Sequence, residues 1–155
     1  MKIKTTELAG SALDWAVAKI LYEEIPTTIT FESWYAGELD GNWGLNEEEC
    51  SLLNNLKSFK PSSSWGDAGP IIAREGISVI RCDGVYEEDA QGFCNNVRSA
   101  VWGATTGEHP IEYEIVDKKI YLDHVIYGPN ALISAMRCFV YCKLGHEVEV
   151  PEELA

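Results

Sequence analysis

Apolar residues recur at helical spacing near each end of this chain. Leu13, Val17, Ile20 and Leu21 share one side of a first helix, with Ser11 placed to accept from the amide three residues on and Asp14 at the acid position of a capping box. Pro26 bounds that helix. At the other end, Ala131, Leu132, Ala135, Met136, Phe139 and Val140 form a broad apolar stripe, opened by Gly128-Pro129-Asn130 and closed by Gly145. Between the two, the pattern shifts towards a period of two. Thr27 to Tyr35 is rich in β-branched and aromatic residues and reads as a strand, and so does Ile77 to Cys82, with Asp83-Gly84 as a turn signal after it. Asn96 to Trp102 also reads as a strand, although Val97 and Val101 fit one side of a helix as well. Ile111, Tyr113 and Ile115 alternate strictly with Glu112 and Glu114; after a turn at Asp117-Lys118, Ile120, Leu122, His124 and Ile126 line one side of the next strand.

Punctuation supplies the rest. Asn46 is placed to cap a short helix with Glu47, Glu48 and Glu49 in its first turn and Leu52, Leu53 and Leu56 on its apolar side. A second short helix is expected from Pro70 to Glu75, with proline first and Gly76 to end it, and Val148-Glu149-Val150 is a final extended stretch. Strands joined by short turns imply antiparallel pairing. The pattern therefore predicts a single α+β domain over residues 1–155, an antiparallel sheet meander packed by an N-terminal and a C-terminal helix. The C-terminal helix is expected to lie on a sheet that includes 111–116 and 119–126.

Composition changes this picture little. The chain has 155 residues, 46% hydrophobic and 24% charged, which is globular rather than disordered composition. No apolar run reaches the length of a membrane span, and Met1 to Glu7 lacks the apolar stretch of a signal peptide. The five cysteines, Cys50, Cys82, Cys94, Cys138 and Cys142, are odd in number and scattered, as expected of free thiols in a reducing compartment. Charge says more. At −13, with 25 acids against 12 Lys and Arg, the surface should repel phosphate backbones, so no binding to duplex DNA is expected. Such acidity serves solubility, or mimicry of nucleic acid if the acids share one face.

Catalytic motifs are missing: there is no nucleophile elbow, phosphate loop, dinucleotide fingerprint or His-Glu-x-x-His. Cys138, Cys142 and His146, spaced by four, offer soft ligands, but Gly145 should end the helix before His146, and buried structural cysteines with no metal are the expectation. His124 and the adjacent Asp123 point to opposite faces of a strand and so do not pair.

Two places carry more promise. Arg137 sits in the most apolar helix, on its solvent edge or buried against an acid or an anionic ligand. The loop from Ser62 to Pro70 combines Ser62, Ser63 and Ser64 with Trp65 as a stacking surface and Arg74 one turn into the following helix. The alternative there is a surface loop capped by Asp67 with Trp65 folded into the core.

Three blocks carry a resemblance. They are Leu13-Asp14-Trp15-Ala16-Val17-Ala18, then Pro61-Ser62-Ser63-Ser64-Trp65 running into Gly69-Pro70-Ile71-Ile72-Ala73-Arg74-Glu75, and Gly128 to Val140 continuing to Leu154. In these the chain resembles the NinX family of small bacteriophage proteins, while Ala36 to Leu56 and Gly84 to Pro110 run longer than the family pattern. The resemblance implies a protein made in the cytoplasm of an infected bacterium and acting on host machinery; the family carries no assigned chemistry.

Together these readings lead to a non-catalytic binding protein that sequesters a small anionic nucleotide-type signal of host antiviral defence. Trp65 or Trp102 would stack the base, Ser62 and Ser64 would bond phosphate or ribose oxygens, and Arg74 and Arg137 would neutralise charge. No cofactor, nucleic acid or membrane is expected, and a homo-oligomer is. The alternative is an acidic interaction protein that blocks a host nucleic-acid enzyme or defence protein, with Glu47 to Glu49, Glu87 to Asp89 and Glu152-Glu153 as its surface.

Overall fold

The computed structural model describes residues 1–25, 30–36, 51, 56, 58–88, 94–106, 112–116, 119–123 and 125–154. It ties the two ends of the chain together. Strand β1 (Lys2–Lys4) pairs antiparallel with β7 (Glu147–Glu149), Ile3 opposite Val148. Met1 and Val150 exchange backbone bonds of 2.6 and 2.9 Å, and the Thr5 hydroxyl donates to the Gly145 carbonyl at 2.6 Å. Such a strand of three residues has no periodicity to betray it, and only Val148 to Val150 was legible as extended.

Helix α1 (Gly10–Glu23) follows a 3-10 turn at Thr5–Glu7. It buries Leu13, Trp15, Ala16, Val17, Ile20 and Tyr22, so more than one side of it is covered. The expected cap is not used. Ala9 is the cap residue with no side-chain bond, and the Asp14 carboxylate instead accepts the Ser62 amide at 2.7 Å.

Residues expected as a strand up to Tyr35 form a helix, α2 (Phe31–Ala36), from Phe31 on. Thr30 starts it by accepting the Ser33 amide at 3.3 Å through its hydroxyl and the Trp34 amide at 3.1 Å through its carbonyl. Helical spacing then sets Phe31 and Trp34 against α1, where Trp15 and Phe31 meet edge-on at 5.3 Å between ring centroids and Tyr22 and Trp34 lie at 5.1 Å. Burial of four aromatic rings outweighs the modest strand preference of the local sequence.

Helix α3 (Trp65–Arg74) begins five residues before the expected Pro70, which lies inside it. Ser64 caps it, accepting the Asp67 amide at 3.4 Å. Its end is as expected: Gly76 takes a φ of 62°, which glycine adopts without the cost a side chain brings, and Ile77 donates back to the Ile72 carbonyl at 3.0 Å.

The main sheet is antiparallel throughout. Strand β2 (Ser78–Glu88) pairs with β3 (Cys94–Thr105) from Ser78 opposite Thr105 to Glu88 opposite Cys94. No turn occurs at Asp83-Gly84. The strand continues with Gly84 opposite Ser99, and a register shift follows between Val85 and Tyr86. Strands β4 (Glu112–Val116) and β5 (Lys119–Asp123) form the expected hairpin as a separate two-stranded sheet. The second strand expected there is in fact two, because β6 (Ile126–Gly128) leaves the hairpin to pair with β3. Alternation continues across the break, so periodicity reports faces and not partners.

Helix α4 (Ala131–Leu144) has the expected bounds, with Asn130 accepting the Ile133 amide at 2.8 Å as its cap. It rests on β2, β3 and β6 and on α1, rather than on the hairpin of β4 and β5. Leu132, Ala135, Met136, Phe139 and Val140 are buried as the stripe predicts. The structure is thus α+β as expected, with helices near both ends and antiparallel sheets; α4 rests on the main sheet, while α1 packs on α4 and α2. Of the expected helix after Asn46, Ser51 and Leu56 are described and helical; its other residues, the start of the expected strand at Thr27 to Ile29, and His124 lie outside the described residues.

Candidate functional site

One groove brings together residues far apart in sequence. Its walls are the C-terminal end of α1 (Leu21, Glu24 and the following Ile25), the segment at Leu56, Ser58 and Phe59, and the face of α3 carrying Gly66, Asp67, Pro70, Ile71 and Arg74. Its volume is about 620 Å³, within the range of small-molecule sites. The floor is aliphatic and aromatic; the polar groups are Ser58, two carboxylates and one guanidinium. Gly66 contributes no side chain, which keeps that part of the wall low, and Pro70 cannot supply the helical bond to the Gly66 carbonyl.

Local bonds place α3 against α1. The Lys60 carbonyl accepts the Ser63 and Ser64 amides at 3.1 and 2.8 Å, closing a tight turn. The Asp67 carboxylate accepts the Lys60 amide at 3.0 Å. Asp14, reaching over from α1, holds the turn through the Ser62 amide. Burial pushes the Asp14 carboxyl above its usual range, and the bonds from the Ser62 amide and hydroxyl only partly offset this. Asp14 is the positioning residue that sequence reading missed. Its place three residues after Ser11 mimicked a capping box, and nothing local marks its partner 48 positions away.

Arg74 is the cation of the groove wall. Its Nη1 and Nη2 donate to the two carboxylate oxygens of Glu24 at 2.8 and 3.1 Å, and its Nε donates to Glu75 at 2.7 Å. Lys143 of α4 reaches the other oxygen of Glu75 at 3.0 Å. Burial opposes the charge on Glu75, but the bonds from Lys143 and Arg74 prevail and hold its carboxyl below the usual range.

The residues singled out from sequence divide into two groups. Ser62, Ser64, Trp65 and Arg74 gather at α3 and the turn before it. Arg74 lines the groove; Trp65 is 60% exposed rather than folded into the core, but it does not line the groove, because helical spacing turns it to the side of α3 away from Pro70 and Arg74. Ser62 and Ser64, expected to bond a ligand, are engaged instead in holding the turn and capping α3. Trp102 and Arg137 lie elsewhere. Trp102 is half-buried on β3, opposite Arg81 on one side and Gly128 on the other. Arg137 is buried, with Nε donating to the Leu8 carbonyl at 2.7 Å and Nη1 to the Tyr127 carbonyl at 2.9 Å. Neither lines the groove.

The cysteine cluster separates in the same manner. Cys138 is buried, and burial, with Cys142 nearby, pushes its thiol up to about 12; Cys142 is exposed. His146 Nε2 lies 2.9 Å from the Tyr141 hydroxyl. Among the described residues no three His, Cys, Asp or Glu side chains converge as a metal would require, and no helix is long and apolar enough to cross a membrane.

The family model described as Bacteriophage P22, NinX matches residues 4–98. That span holds the first two of the three sequence blocks, all of α1, α2 and α3 and therefore every wall of the groove; it ends before the third block. No curated protein matches the chain.

Proposed function

The chain belongs to the NinX family of bacteriophage proteins, and on that premise we propose that it is a non-catalytic binding protein whose ligand site is the groove between α1 and α3. The ligand class that best joins the groove to its surroundings is a small nucleotide-type signal of host antiviral defence, sequestered in the cytoplasm of the infected bacterium. One observation carries this reading: a groove of about 620 Å³ with an apolar floor has the Arg74 guanidinium in its wall. A planar base would lie on the apolar floor beside Phe59 while Arg74 meets the anionic end. Arg137, which binds backbone carbonyls in the interior, is left out of this site.

The charge of the rim favours a second reading. Glu24 and Asp67 outnumber Arg74 in the lining, which suits a basic, apolar segment of a host protein better than a polyanion.

Thermal melting with cyclic and ADP-ribose-type nucleotides, and in parallel with basic amphipathic peptides, separates the two. A nucleotide present at a hundred times its dissociation constant should raise the melting temperature by roughly 5–10 °C in a chain of this size. Arg74→Ala should weaken binding roughly ten- to a hundredfold through loss of a charge-assisted bond. Trp65→Ala, a change on the other side of α3, should leave binding unchanged. Unliganded, both variants should melt close to wild type, because surface ion pairs and exposed rings contribute little to stability. Shifts with peptides alone would replace the nucleotide reading with the second one.

A further inference from the structure

We propose that Glu24 is the specificity-determining residue of the groove, an internal carboxylate that occupies the position on Arg74 which a ligand's anionic group would take. This rests on the binding function proposed above. The grip is end-on and bidentate, with both Glu24 oxygens on the two terminal nitrogens of the guanidinium, at 2.8 and 3.1 Å. The same fork is what arginine presents to a phosphate or a ligand carboxylate.

The two acids on Arg74 are not equivalent. Glu75 binds the Nε side, its side chain is 19% exposed, and it is shared with Lys143. It therefore holds the guanidinium in orientation and has its charge met twice. Glu24 comes from the opposite wall, 50 positions away in sequence, and both it and Arg74 are 47% exposed at the side chain. An ion pair this open is worth little, so an incoming anion displaces Glu24 at small cost while Glu75 stays in place. Glu24 also sets the sign of the rim. Among the described residues the lining carries two carboxylates and one guanidinium with it, and one of each without it. Ligand charge is thus selected by the side chain that follows the end of α1 rather than by Arg74 alone.

Fluorescence titration of wild type and Glu24→Gln with two dyes tests this. One is 8-anilino-1-naphthalenesulfonate, apolar and anionic, and the other is thioflavin T, apolar and cationic. Glu24→Gln should bind the anionic dye about three- to tenfold more tightly and the cationic dye correspondingly less. Adding Arg74→Met to Glu24→Gln should abolish the gain. Wild-type binding of the anionic dye that Glu24→Gln leaves unchanged or weakens overturns the assignment and leaves the groove standing. Equal gains for both dyes also overturn it, since charge would then play no part. If neither protein binds either dye, the assignment and the groove reading fall together.

Discussion

Arg137→Ala should lower the melting temperature by roughly 6–12 °C, corresponding to about 3 kcal/mol for a chain of this size. Arg137 is 7% exposed and joins three parts of the fold: α4, which carries it, the Leu8 carbonyl just before α1, and the Tyr127 carbonyl of β6. Removing it strips donors from two carbonyls and leaves a cavity where a long side chain stood. Stranded acceptors cost about 1–3 kcal/mol each when water cannot replace the donor. Arg137→Lys should recover only part of the loss, because an ammonium on a flexible stem lacks the planar fork that reaches both carbonyls. Nucleotide binding by whatever protein remains folded should be unaffected, in contrast to Arg74→Ala. Melting curves and circular dichroism of the three proteins decide the matter; a melting temperature within a degree of wild type would mean that Arg137 is not holding these elements together.

Gly128→Ala should be nearly as damaging for a different reason. A Cβ at this position would stand 2.6 Å from the Ser134 amide nitrogen and 2.9 Å from its Cα. Both are backbone atoms in the first turn of α4, so no side chain can swing away to make room. Gly128 also ends β6 opposite Trp102, which fixes it from the sheet side. The methyl group must either push α4 off the sheet or break the β3–β6 pairing. Overpacking of this kind costs about 1–3 kcal/mol, and the backbone clash puts this case at the upper end. Urea denaturation should show the midpoint falling with little change in slope.

Local signals made parts of this fold legible. The stripe from Ala131 to Val140, the Asn130 cap and the Gly145 stop gave α4 its observed bounds, because cap and period lie within the helix itself. Gly76 ended α3 for the same reason. Elsewhere two local signals competed. Pro70 reads as a helix start and Ser64 as a loop serine, yet Ser64 caps the helix and Pro70 lies within it. Phe31, Trp34 and Tyr35 favour a strand by composition and a helix by spacing; contact with Trp15 and Tyr22, which is tertiary, decides for the helix.

The site was legible only as a neighbourhood. Arg74, marked by its place one turn past the expected helix start, lines the groove, whereas Trp65, marked beside it, faces away. The groove itself needs Glu24 and Leu21 brought to α3 from about 50 positions away, and no pattern within one segment encodes that meeting. Arg137 shows the converse. Its isolation in an apolar helix marked it as meaningful, but the two carbonyls to which it donates, those of Leu8 and Tyr127, have no sequence signature.

The most direct test of the central claim is mass spectrometry of small molecules released by heat from the protein, purified out of bacteria producing nucleotide defence signals. Wild type should release one nucleotide-type compound in near-stoichiometric amount, and Arg74→Ala prepared in parallel should release little or none. Wild type releasing no such compound, or Arg74→Ala carrying the same load, would contradict a ligand held in the groove between α1 and α3.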